Sequence, residues 1–129
     1  MKVVTQLSIF LKNSPGTLAT VSEGMKDEDI NIMGLTVVDA VDHAVVRMVV
    51  DKPQKAIHFF GEHGLLVIDT EIVYIDLQNT AGALASLGRK LGEKNINIEY
   101  MYGSIPETGG SGLLFIKVSD VAGAKALLG

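Results

Sequence analysis

From Gln6 to Lys12 the chain alternates, with Leu7, Ile9 and Leu11 on one face and Gln6, Ser8 and Lys12 on the other. That is the period of a half-buried strand, with Phe10 an apolar exception on the second face. Asn13-Ser14-Pro15-Gly16 breaks the run, since Pro fixes φ and Gly permits turn geometry. Leu18, Val21 and Met25 then recur at i, i+3 and i+7, one face of a helix. Asn13 or Ser14 is expected to cap it, with Pro15 in the first turn. Lys26-Asp27-Glu28-Asp29 closes it as a solvated corner. Ile30-Asn31-Ile32 opens a second strand reaching about Val38, residues 39–43 read as a hairpin turn, and residues 44–50 as a third strand with Arg47 its only charge. Pro53 starts a second helix in which Ala56, Ile57, Phe59 and Phe60 share a side; Gly64 stops it, and residues 65–68 form a short fourth strand.

The pattern then returns. Val73, Ile75 and Leu77 repeat Leu7, Ile9 and Leu11 at a displacement of 66, and Leu84, Leu87 and Leu91 repeat Leu18, Val21 and Met25. Asn79-Thr80-Ala81-Gly82-Ala83-Leu84 restates Asn13-Ser14-Pro15-Gly16-Thr17-Leu18, and Asn95-Ile96-Asn97-Ile98 answers Asp29-Ile30-Asn31-Ile32. Afterwards the displacement is 68, Val118 answering Val50 and Ala124 answering Ala56, so two residues are added in the Gly-rich hairpin of residues 103–112. One pattern used twice implies one structural unit used twice. The expectation is an α+β chain of tandem ferredoxin-like (βαββαβ) repeats, 1–69 and 70–129, with antiparallel sheets and helices on one face. Gly129 aligns with Gly61, so repeat two is expected to lack its last strand, leaving residues 73–77 to be covered by the other repeat or a second subunit. Alternation places Phe10, Val45, Val49, Tyr74, Leu113 and Phe115 on the face away from the helices, an apolar face fit for a partner.

Composition narrows the classes. Of 129 residues, 47% are hydrophobic and 20% charged, as in a soluble globular chain. No apolar run approaches the ~20 residues of a membrane span, and no secretion signal is read at the N-terminus. The absence of cysteine excludes disulfides and thiolate chemistry and is compatible with a cytoplasmic setting. A net charge of −4 with few aromatics argues against nucleic acid. His43, His58 and His63 do not share ligand spacing, no serine has the surroundings of a nucleophile, and Gly109-Gly110-Ser111-Gly112 lacks the Lys of a phosphate loop. No metal, cofactor or catalytic site is expected.

With both turns and both Ile-Asn-Ile segments in register, the chain resembles the ACT-domain family, specifically small proteins built of two ACT repeats, over essentially its whole length. The departures are Ala81, where the family often has Pro, and the missing last strand. The resemblance implies a regulatory sensor of free amino acids, with the ligand between two ACT units where one turn meets its neighbour's second strand. It also implies an enzyme of amino-acid metabolism as a possible partner.

The residues suit such a ligand. An amino-acid carboxylate favours N–H groups at a helix start, which Thr17, Leu18, Ala83 and Leu84 offer. Gly16 and Gly82 allow close approach to the main chain, Pro15 stiffens the first turn, and Ala81 leaves the second looser. Asn13 and Asn79 can both donate and accept. Leu11, Ile32, Leu77 and Ile98 are candidates to surround an apolar side chain, Asn31 and Asn97 flank them, and Met101 is a candidate lining of the second site. Taken alone, Asn-x-x-Gly between strand and helix is more often a cap and turn. The leading expectation is a non-catalytic, cytoplasmic, amino-acid-binding homodimer. A ligand-free interaction module is the alternative. An acylphosphatase-type enzyme on the same fold is weakened because the first turn lacks the expected Arg.

Overall fold

The structure is a computed structural model that describes residues 1–40, 42–107 and 109–129. Val41 and Thr108, within the two hairpins expected from the sequence, lie outside the described residues. The elements in chain order are β1 (Lys2–Lys12), α1 (Thr17–Asp27), β2 (Ile32–Asp39), β3 (His43–Val50), α2 (Pro53–Glu62), β4 (Leu66–Gln78), α3 (Ala83–Glu93), β5 (Ile98–Ser104), β6 (Ser111–Val118) and α4 (Val121–Leu128). This is the strand–helix alternation of a tandem ferredoxin-like α+β chain.

The chain divides into two compact units. One is Thr5–Thr70; the other is Glu71–Gly129 together with Met1–Val4. In the first, the hydrogen-bonded strand order is β2-β3-β1-β4. β1 pairs antiparallel with β3 from Gln6↔Val49 to Lys12↔His43, and β2 pairs antiparallel with β3. Leu7, Ile9 and Leu11, the inward set of the alternation, enter one core with Met25, Met48 and Phe60. α2 begins with Pro53 at its first turn, where the missing N–H costs no bond, and Gly64 follows it at φ +71°.

In the second unit the order is β1-β4-β6-β5, with β4 antiparallel to β6 and β6 to β5. Val73, Ile75 and Leu77 join Leu87, Leu91, Ile116 and Ala124 in its core, against which Met1 packs. Here the sequence reading is corrected. The fourth strand expected at 65–68 and the next expected at 73–77 are one continuous strand, β4. Its second half is covered by a strand of the other repeat, as expected, since β6 flanks one side and β1 the other. The opening residues of β1 thus take the place of the fourth strand that repeat two lacks.

The repeat extends to the backbone. α1 and α3 are each followed by a residue at positive φ, Asp29 (57°) and Asn95 (56°). Their successors return to the last helical turn, Ile30 N to Met25 O at 3.0 Å and Ile96 N to Leu91 O at 2.9 Å. Asp and Asn are among the few residues that adopt this conformation readily. The expected apolar outer face is only partly open. Val49 and Phe115 are buried within the chain, and Phe115 packs against the rings of Tyr74 and Tyr102 at centroid distances of 5.0 and 5.3 Å.

Candidate functional site

Both predicted turns join a strand to a helix, but neither is capped as the sequence suggested. The N-cap residues are Gly16 and Gly82, in the left-handed region at φ 84° and 87°, and neither helix has a side-chain cap bond. Ser14 and Thr17 satisfy each other instead, with their hydroxyls 2.9 Å apart and Thr17 Oγ1 donating to Ser14 O at 3.0 Å. Of the N–H groups expected to face a carboxylate, Thr17 N donates to Ser14 O at 3.4 Å and Ala83 N to Thr80 O at 3.2 Å, so those of Leu18 and Leu84, in the first turns of their helices, are the ones without an intrahelical acceptor. A Cβ on either Gly16 or Gly82 would meet nothing within 4 Å, so both turns open onto free space. Ala83 replaces Thr17 in the second turn, which therefore has no matching hydroxyl pair.

Asn13 and Asn79 do the same job in the two units. Asn13 Nδ2 donates to Asp39 Oδ1 at 2.5 Å, at the end of β2. Asn79 Nδ2 donates to the carbonyls of Pro106 and Glu107 at 2.5 and 3.2 Å, in the connection after β5. In each unit, then, this side chain clasps the second-to-third-strand hairpin to the turn. The side-chain amide nitrogens are thus committed to the fold. Sequence reasoning missed these partners; Asp39, a carboxylate at the mouth of an apolar hairpin, was the one visible signal.

Asn31 and Asn97 are also structural. Asn31 N and Nδ2 donate to the two carboxylate oxygens of Asp51 at 2.9 and 3.3 Å, and Asp51 N returns a bond to Asn31 O at 3.1 Å. The Asn31 backbone N–H holds the Asp51 carboxyl below its ordinary value, helped by the Asn31 side chain and Lys52. In the second unit Ser119 stands where Asp51 does. Asn97 N donates to Ser119 Oγ at 2.9 Å, and Ser119 N donates to Asn97 O at 2.9 Å.

The apolar candidates separate. Leu11 and Leu77 are core residues, Ile98 and Met101 are half-buried against the second core, and Leu18, Ile32 and Leu84 are exposed. Asn31 and Ile32 line a hollow of about 250 Å³ with Met25, Lys26 and Ile30. Leu77 and Ala83 line another, of about 270 Å³, in the second unit. A wider apolar hollow of about 560 Å³ lies among Phe10, His43, Val45 and Leu66. In the first unit Leu11 lies in the core and Ile32 lines a hollow that no residue of the turn at 13–18 lines. Among the described residues, no group of His, Asp and Glu is placed to hold a metal ion, and no helix is long and apolar enough to cross a membrane.

Comparison with known proteins agrees with the architecture. No curated protein matches the sequence. Protein BT0572 from Bacteroides thetaiotaomicron is 32% identical, with a TM-score of 0.90 over 98% of this chain and 86% of that one. The regulatory subunit of aspartate kinase from Thermus thermophilus, in its ligand-free form, is 18% identical with a TM-score of 0.71, over 99% and 93% of the two chains. Its counterpart from Thermus flavus is 17% identical with a TM-score of 0.65, over 96% and 92%. Residues 1–128 match the family described as the ACT domain pair, and the chain belongs to it.

Proposed function

We propose that this protein is a non-catalytic regulatory sensor of a free amino acid, and that the ligand is held at the turns of residues 13–18 and 79–84. One observation carries the reading: a turn built twice with a left-handed glycine, open space over its main chain and an asparagine anchored by its amide. The helix start offers N–H groups to a carboxylate, and the asparagine carbonyl offers an acceptor to an ammonium. Leu18 and Leu84 supply exposed apolar surface beside them. The first copy, with Pro15 and the Ser14–Thr17 hydroxyl pair, is the one expected to bind more tightly. Ligand binding acts by favouring one arrangement of the units, limited by its differential affinity. Two of the fold relatives are regulatory subunits of an enzyme, and output through an enzyme subunit is proposed here as well.

Calorimetric titration with the twenty amino acids tests this. Heat from a subset, lost in Gly16→Val, is expected; silence from all twenty in a folded protein rejects it. One observation favours a ligand-free interaction module as second reading. β2 is the outermost strand of its unit, and Ile32, Met33, Leu35, Val37 and Val38 are all exposed along it. An apolar edge strand is a template for pairing with another chain, including a second copy of this one.

A further inference from the structure

We propose that the hollow of about 270 Å³ in the second unit is a separate binding site for a small aliphatic carboxylate without an ammonium group. Its floor is apolar, made by Ile75 and Leu77 of β4, Leu87 of α3 and Leu128 at the end of α4, and its polar lining includes Ser86 and Lys90. Ser86 and Lys90 are four residues apart on α3 and so stand on one helix face. Lys90 forms no ion pair among the described residues.

The corresponding place in the first unit is built from different residues. At the displacements of the repeat, Lys90 corresponds to Gly24 and Leu128 to Phe60. Gly24 faces Phe59 so closely that a Cβ there would lie 2.4 Å from the ring. Phe60 is fully buried, and Leu65, whose N–H donates to Phe60 O at 3.0 Å, packs onto the same core. In the second unit two leucines, Leu127 and Leu128, stand where the two phenylalanines do, and a lysine stands where the glycine made room for a ring. Of these, Leu128 and Lys90 line the hollow, a smaller side chain than Phe60 and a cation in place of Gly24.

That lining selects the ligand class. The hollow joins an apolar side, made by Ile75, Leu77, Leu87 and Leu128, to a polar side with Ser86 and Lys90, which suits a small molecule with a hydrocarbon body and one charged end. The ammonium and hydroxyl match one carboxylate. An amino acid would also need an acceptor for its ammonium. The acid in the lining is Asp76, but Ile75 and Leu77 face the core, so strand alternation turns its carboxylate to the opposite face of the sheet. The site therefore favours a branched-chain carboxylic or 2-oxo acid over the corresponding amino acid, and it does not depend on the turns of residues 13–18 and 79–84.

The test is titration with 3-methylbutanoate, 4-methyl-2-oxopentanoate, the neutral 3-methylbutanamide and leucine, read by calorimetry and by amide chemical shifts. At least one acid is expected to bind, with shifts centred on residues 75–77, 83–90 and 128. The amide is expected to bind roughly threefold to tenfold more weakly, with leucine failing to displace the acid. Lys90→Gln should weaken the acid by a similar factor, and Leu128→Phe should close the site. Absence of binding by both acids, shifts located elsewhere, displacement by leucine, or equal affinity in folded Lys90→Gln overturns the proposal. The shift map of the unaltered protein decides the matter even where Leu128→Phe fails to fold.

Discussion

At the residue scale, the glycine of each turn has a backbone reason before any ligand reason. Gly16 and Gly82 lie at φ 84° and 87° with no neighbour where a Cβ would sit, so conformation rather than space demands glycine. Gly16→Ala is expected to lower stability by about 1–2 kcal/mol in thermal unfolding, from the left-handed strain alone. Asp51 is a residue whose charge the fold uses. Its carboxyl is held below the ordinary value by the Asn31 N–H, so ionised Asp51 favours the folded state. For a depressed carboxylate, that contribution is present above the unfolded value, near pH ~4, and is lost as pH falls through the folded value. Asp51→Asn keeps a side-chain oxygen for the Asn31 N–H while removing the charge. Its melting temperature should therefore fall less steeply than that of the unaltered protein below about pH 4. Parallel acid limbs in the two proteins would show that this carboxylate contributes nothing.

At the element scale, packing distinguishes helices that share one sequence pattern. Gly24 in α1 lies under the Phe59 ring, and an added Cβ would approach it to 2.4 Å, whereas one on Gly88 in α3 would meet nothing within 4 Å. Gly88→Ala should therefore stabilise by about 0.5–1 kcal/mol, the ordinary helical gain over glycine. Gly24→Ala should cost about 1–2 kcal/mol net, because displacing a packed ring outweighs that gain. Denaturant midpoints of the two variants should move in opposite directions. The period-3.6 pattern of Leu18, Val21 and Met25 made α1 legible, and the period-2 pattern did the same for β1. The helix caps were not legible. Asn13 and Ser14 are good capping types, but Asn13 is drawn to Asp39 and Ser14 to Thr17, bonds that only the folded hairpin and turn create. Likewise the strands expected at 65–68 and 73–77 left residues 69–72 unassigned, with Asp69 and Glu71 among them. These two are solvent-facing positions of the single strand β4, whose ladder is made by backbone groups and carries no side-chain signature.

At the scale of the whole molecule, the duplication was plain from the 66-residue displacement. What the sequence concealed is the membership of Met1–Val4 in the unit of Glu71–Gly129. Val3 and Val4 are consecutive apolar residues without alternation, so their pattern names neither a face nor a partner strand. The strand order sets β1 beside β4, and β1 pairs with β3 only from Gln6 onward. The bonds of residues 2–4 therefore go to β4 or to solvent. Consecutive N–H groups in a strand point to opposite sides, so either residue 3 or residue 4 donates toward β4. Proline removes a donor and is tolerated only where the N–H faces outward. Of Val3→Pro and Val4→Pro, one should be nearly neutral and the other should cost roughly 3 kcal/mol. In the damaging variant, hydrogen exchange should accelerate at residues 72–75, with the amides of β3 less affected. Exchange at residues 72–75 that stays slow in both variants would mean that another element covers β4, and would remove residues 2–4 from the role of fourth strand.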